Sequence, residues 1–465
     1  MNLLTRITAL LAGLLLAATA HASGDIRLPD YTTLHLDNGA TVLLMPQRDV
    51  PLVSASVAVR GGALADAPGK EGSAGLLAEM LSKGAGNRDA LAFAETLDGA
   101  GGSLSVQSGR EALFASAQFL SRDTGLMLEL LGDALMRPRL DAAEFDKLRQ
   151  RNIDSLVAAK DGDPSSLIPS YGDAWLFRDH PYGRPSDGDE TSLAAITLDD
   201  LKAFHRQQMG GDRLIIAIAG DFDVASTTRH VREVFSGWQP ASGTLPQVAA
   251  KPRESGRRVL LVDKPGATQS YFRLGNVGTR YGDPAEAAQD LVQTIFGGRF
   301  TSMLNTELRV KSGLSYGARA SLQRNASDGG AWISSFTRTD ATEQAIDLAI
   351  ATLERMQAEP FDADTLASAR NYVAGQFAPE LETASQLAST LVELSLYDQQ
   401  RDKVDGYLGR IAGASAQEIA DARNVFPRSD DLVIVVVGDA AQIRDGLRKY
   451  GPVTEMKMSA PGFTP

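Results

Sequence analysis

Cysteine is absent from the 465-residue chain. Disulfides, thiolate metal sites and cysteine nucleophiles are therefore excluded. Stability has to come from burial, which a chain of this size can supply. Histidine is almost as scarce, with five in all. No two of His35, His180, His205 and His230 stand four apart, the spacing that puts two metal ligands on one helix face. His180, in the stretch HPYGRP, reads as a loop or packing residue. No Gly-x-Ser-x-Gly elbow joins a strand to a helix, so the hydrolase frame built on it is missing. Gly297-Gly298 before Arg299 falls short of a phosphate-cradling loop. Basic runs are missing too, and a formal charge of −12 without them argues against nucleic acid or an anionic membrane as partner.

Long apolar runs are also lacking. The longest, ITALLAGLLLAATA, is about 14 residues, short of the ~20 needed to cross a bilayer. It follows Arg6 and precedes Ala20-His21-Ala22, a small-x-small cleavage pattern. The expectation is a cleaved secretory leader over 1–22, a mature protein starting near Ser23 and no stable membrane insertion.

What is present is one order of elements, used twice. In YTTLHLDNGATVLLMPQ two alternating runs flank Asp37-Asn38-Gly39, a hairpin signal, and LVSASVAVRGG supplies a third strand. In EGSAGLLAEMLSKG, Glu71 to Gly84, the residues Ala74, Leu77, Ala78 and Leu81 fall at i, i+3, i+4 and i+7, which predicts a short buried helix. A glycine-closed helix follows in ALAFAETLDGAGG, then two strands about Ser108–Glu111. Two further helices come next, TGLMLELLGDALMRP and DAAEFDKLRQRNIDSLVAAK, the second with an Asp cap. A loop-rich stretch, the helix TLDDLKAFHRQQM and the apolar strand RLIIAIAGDFD close the first half.

The second half runs through strands in RRVLLVDKPGATQSYFRLGN, helices in EAAQDLVQTIF and TSMLNTELRVKSG, and a strand pair around Gly329-Gly330. Longer helices follow around Glu343–Met356 and Ala363–Tyr372, and DLVIVVVGDA echoes RLIIAIAGDFD. This is a duplicated domain rather than a short-period repeat. The boundaries expected are 23–240, a Pro-, Gly-, Ser- and Ala-rich linker over 241–257, and 258–465. Strand runs mixed with helix pairs predict an α+β layer structure in each half.

Several of these landmarks, in this order, resemble the pitrilysin/insulinase-like zinc peptidases, the group that includes the mitochondrial processing peptidases. They are LDNGATVLL, VRGGALADAPGKEGSAGLL, HPYGRP, AIAGDFD, PGATQSYFRLG, FGGRFTSMLNTELRVKSGLSYG and VVVGDA. The resemblance implies two homologous α/β-roll domains, each an antiparallel-rich sheet with helices packed on one face. Together they form half of a clam-shell chamber for unfolded peptides.

The family's inverted zinc motif, His-x-x-Glu-His, falls on Gly75, Ala78 and Glu79, and its third ligand, a later Glu, on Ser155 beside Asp154. A catalytic zinc needs three protein ligands and an open position for water, with a base to take the water's proton. Gly75 and Ala78 carry no donor, and Glu79 alone does not hold zinc. No metal is expected in this chain, and Glu79 reads as a solvated or ion-paired helix residue.

In the second half, Arg309 near a helix end and Tyr316 beyond Gly313 match an Arg and a Tyr that reach the substrate in the family. Alternation puts Leu314, Tyr316, Ala318 and Ala320 on one face of a strand. The plainer alternatives are a C-terminal helix cation for Arg309 and a core ring for Tyr316. The strand Gly102–Val106 matches the family's substrate-pairing edge strand, but Ser105-Val106 replaces its Asn-Ala pair.

Two functions follow. One is a non-catalytic subunit of a periplasmic heterodimeric zinc peptidase, closing the chamber and lending Arg309 and Tyr316 to a homologous active partner that carries the zinc. The other is a homodimer that binds peptides or unfolded protein without cutting them.

Overall fold

The computed structural model describes residues 26–465. The leader over 1–22 lies outside the described residues. Among these, no helix is long and apolar enough to cross a membrane.

Two six-stranded sheets organise the chain. The first contains β1 (Thr32–His35), β2 (Thr41–Pro46), β3 (Leu52–Arg60), β4 (Ser103–Ser108), β5 (Ala112–Leu120) and β6 (Leu214–Gly220), in the order β1-β2-β6-β3-β5-β4. The second contains β7 (Arg258–Asp263), β8 (Gln269–Val277), β9 (Ala318–Leu322), β10 (Gly330–Arg338), β11 (Val433–Gly438) and β12 (Val453–Lys457), in the order β12-β7-β11-β8-β10-β9. Position by position, β2, β6, β3, β5 and β4 answer to β7, β11, β8, β10 and β9. In both sheets the third strand is parallel to the second and antiparallel to the fourth. The duplication read from the sequence is thus a duplication of topology. The outer strand breaks it: β1 precedes its half and runs antiparallel to β2, whereas β12 ends its half and runs parallel to β7.

Strands β6 and β11 are buried along their whole length. A strand apolar at every position is covered on both faces, and the two coverings come from different halves. On one face of β6, Ile216 and Ile218 meet the first half's own helices, among them Ser73–Leu81 and Thr124–Met136. On the other, Ile215, Ala217 and Ala219 pack against Leu387, Leu391 and Leu394 of the helix Ala384–Leu396, which belongs to the second half. Strand β11 mirrors this. Ile434 and Val436 face their own half, while Val435 and Val437 meet Leu167, Ile168 and Tyr171 at the helix Ile168–Phe177 of the first half. Each half therefore lends the other one helix.

This adds to the expected roll, in which helices cover one face. It also corrects the loop-rich reading after residue 164, where Pro169 at the first turn starts a true helix. The exchange is held by polar contacts: Arg258 Nη2 donates to Trp175 O at 2.7 Å, and Lys264 Nζ to Asp161 O at 2.6 Å. The chain's end closes back on the first half as well. Lys160, buried, pairs with Glu190 at 2.5 Å and donates to Ala460 O at 2.7 Å, while Gly462 N–H donates to Glu190 Oε2 at 3.0 Å.

Candidate functional site

The helix Ser73–Leu81 forms where its sequence pattern predicts, with Ala74, Leu77, Ala78 and Leu81 in the core. Its start has no side-chain cap of its own. Asp66 serves instead, its buried carboxylate accepting from Gly72 N at 2.8 Å and Ala74 N at 2.9 Å. Burial pushes the Asp66 carboxyl up to about 7, against the pull of those two N–H groups. The helix packs against Ala142–Gly162, the helix that carries Ser155.

The residues at the metal positions do not fit zinc. At Gly75 an added Cβ would meet nothing within 4 Å, so the space that a ligand side chain would fill is open. Ala78 is buried among apolar neighbours. Glu79 is taken: the Arg151 guanidinium pairs with it, and Asn152 Nδ2 donates to its Oε1 at 2.9 Å. Ser155 is exposed on the next turn, and Asp154 accepts from Gln150 Nε2 at 2.8 Å. The ion-paired reading of Glu79 is the observed one. Among the described residues no cluster of three or more His, Asp or Glu could hold a metal ion.

The triple variant Gly75→His, Ala78→Glu, Glu79→His should therefore remain without zinc by metal analysis, because Ser155 still supplies no third ligand. It should also melt lower, since Ala78→Glu places a carboxylate in the core. Arg151→Ala, which breaks only a half-exposed pair, should cost about 0–1 kcal/mol in the same thermal assay.

Arg309 and Tyr316 come together. Met303–Asn305 is a single α-turn, and Thr306–Lys311 widens into a π-turn, a form that recurs at functional sites. Arg309 lies in that π-turn. Its Cζ stands 4.3 Å from the Tyr316 ring centre and 4.8 Å from that of Phe300, within cation–π range of both. The Arg309 side chain makes no hydrogen bond or ion pair among the described residues. It does not donate to the last carbonyls of its turn, so the helix-cation alternative does not hold. Tyr316 is 74% exposed, which removes the core-ring alternative.

Tyr316 is also not in the strand, as the alternation had placed it, because β9 starts at Ala318. Gly313, at φ +65°, turns the chain, and Ser315 Oγ donates to Gly317 O at 2.8 Å, folding 312–317 into a loop that projects the ring. Phe300, 62% exposed, is the residue that the sequence reading missed. Nothing in FGGRF marks a ring that stacks on a cation nine residues later. Strand β4 lies at the edge of its sheet, with Ser103, Ser105 and Gln107 exposed and a free backbone row. Its observed span, Ser103–Ser108, sits one residue later at its start and two later at its end than expected.

Two family models match successive parts of the chain: Insulinase (Peptidase family M16) over residues 41–189, and Peptidase M16 inactive domain over 195–373. The chain belongs to peptidase family M16. Among M16-like relatives, a protein named as a zinc protease from Streptomyces coelicolor is 25% identical over 80% of this chain and 82% of its own length. Another from Mycobacterium tuberculosis is 26% identical over 77% and 82%. In fold, the peptidase M16 inactive domain from Pseudomonas fluorescens superposes with a TM-score of 0.82 at 23% identity, covering 88% of this chain and 98% of that one. A protease from Helicobacter pylori gives 0.81 at 18% identity, over 88% and 100%.

Proposed function

We propose that this M16 chain is the non-catalytic subunit of a periplasmic heterodimeric zinc peptidase. It closes the substrate chamber and presents Arg309 and Tyr316 to the active site of a homologous partner. The observation that carries the reading is the guanidinium of Arg309, stacked on two exposed rings and without a hydrogen bond or ion pair among the described residues. Its donors match a peptide carbonyl or carboxylate, and the exposed Tyr316 hydroxyl can donate to a developing oxyanion. These are substrate-side roles, and this chain's own zinc positions hold no donor set for them to serve. The partner's zinc would activate the attacking water. This chain would hold the peptide and take up negative charge as it forms. The periplasmic location rests on the secretory leader pattern at the N-terminus.

The test is co-purification. The tagged mature chain, co-expressed with an M16 homologue that retains His-x-x-Glu-His, should elute as a complex with one copy of each, by size exclusion with light scattering. Elution as a homodimer that leaves the homologue behind would contradict the proposal and favour the homodimeric peptide binder.

A further inference from the structure

We infer that a cavity in the second half takes one cationic side chain, lysine or arginine, from a bound peptide. The inference rests on the reading that this subunit handles peptides, but not on the heterodimer. The cavity, of about 380 Å³, lies between the helices Glu286–Gln293, Ala363–Phe377 and Ala384–Leu396. Its walls include Tyr281, Tyr372, Phe377 and Tyr407, which suit the alkyl stem of a long side chain. Tyr281 is a fixed wall, stacked on Tyr397 with ring centres 4.1 Å apart and with Lys403 Nζ 3.8 Å from its own centre. Tyr372 is 40% exposed, and an aromatic ring in the wall suits a cation.

The charge of the cavity is unbalanced. Glu286, Asp290, Glu380 and Glu393 all line it. Two are answered: Lys403 Nζ pairs with Glu286 at 2.6 Å, and Arg324 Nη2 with Asp290 at 2.7 Å, where the Tyr407 hydroxyl also donates at 2.8 Å. The other two are not. Neither Glu393 nor Glu380 has a cationic partner among the described residues. Burial and then the charge of Glu393 raise the proton affinity of Glu380. Glu380 and Glu393, both exposed, line one cavity without a cationic partner and repel each other, and a cation entering between them relieves that repulsion.

The position suits a peptide. Glu393 also lines a groove with Ser56, Ser105, Gln107 and Phe114, which runs over β3, β5 and the edge strand β4. A chain paired along that edge can send one side chain past Glu393 into the cavity.

Fluorescence anisotropy on the purified mature chain tests this, with an extended nonapeptide carrying one central arginine, its lysine form, and its citrulline form as the neutral isostere. The arginine and lysine peptides should bind at least about tenfold more tightly than the citrulline peptide. Glu380→Gln and Glu393→Gln should each narrow that gap, and the double variant should abolish it without loss of helical circular dichroism. Equal binding of the arginine and citrulline peptides, a preference that survives in the double variant, or no binding of the arginine peptide at millimolar concentration would overturn the inference. None of these results depends on a partner subunit, so the co-purification test stands or falls separately.

Discussion

Replacing Tyr316 by phenylalanine should lower the turnover of the assembled peptidase by roughly 10²–10³, the usual effect of removing one oxyanion donor. The substitution keeps the ring, so the stack on Arg309, at 4.3 Å, survives. Tyr316 is 74% exposed, so the hydroxyl supports no core contact whose loss could mimic the effect. Zinc content and subunit association should be unchanged, and the fall should appear in kcat. Arg309→Ala should also lower activity, but its melting temperature should stay close to that of the parent, because its side chain bonds to no carbonyl of its own turn. Phe300→Ala removes one of the two rings that hold the guanidinium and should act in the same direction, more weakly. Full activity in Tyr316→Phe and Arg309→Ala complexes would leave this subunit a lid without a part in the chemistry.

The second large effect is on stability. Lys160→Met should destabilise the protein by about 3 kcal/mol, the lower end for breaking a buried pair, because it strands the Glu190 charge. Glu190 is 18% exposed and Lys160 4%, so water reaches only one end of the pair. The same change frees the tail at Ala460 and Gly462, which Lys160 and Glu190 hold. Thermal denaturation and limited proteolysis of residues 458–465 should report both losses together.

Glu190 gives the pH dependence. Burial alone would raise its pKa, but the bond and charge of Lys160 and the Gly462 N–H outweigh burial and hold it below the ordinary 4.5. A depressed carboxyl contributes stability that is fully present above its unfolded value and is lost as pH falls through the folded one. Tail cleavage in the parent should therefore rise as the pH falls below the ordinary carboxyl value of 4.5 and through the lower folded one, and Glu190→Gln should remove that acid step. A Lys160→Met protein with an unchanged melting temperature and an intact tail would show that the pair does not hold the two halves together.

The sequence made the two halves legible because the signals there are local. Asp37-Asn38-Gly39 makes its hairpin, and the helix at Ser73–Leu81 follows its apolar spacing. RLIIAIAGDFD and DLVIVVVGDA occupy equivalent places in two sheets. What could not be read was partnership over distance. Uniform burial of β6 and β11 implied cover on both faces, yet nothing in either run says that the cover comes from the opposite half. The helix Ala384–Leu396 had a readable start, a capping box between Thr383 and Gln386. Its amphipathic pattern names no partner, and the strands that it covers lie far upstream in the chain. Strand β12, five residues with no strong alternation, left too little signal to find.

At the site, the loss of the metal ligands was plain from residue identity alone. Arg151 as the cation that takes Glu79 was not, because it sits 72 residues away and meets Glu79 only when the two helices pack. Alternation puts Tyr316 in a strand because it ignores a glycine at positive φ followed by a serine that bonds to its own loop.

The central claim is that this chain has no zinc chemistry of its own and contributes to that of a partner. Its most direct measurement is peptidase activity and zinc per subunit for the purified chain, for the purified homologue with His-x-x-Glu-His, and for a titration of one into the other. This chain should show no activity and no stoichiometric zinc, and the homologue's activity should rise as the chain is added and saturate when the two are equal in number. Chelator-sensitive zinc and peptide cleavage in this chain alone, or homologue activity indifferent to its addition, would contradict it.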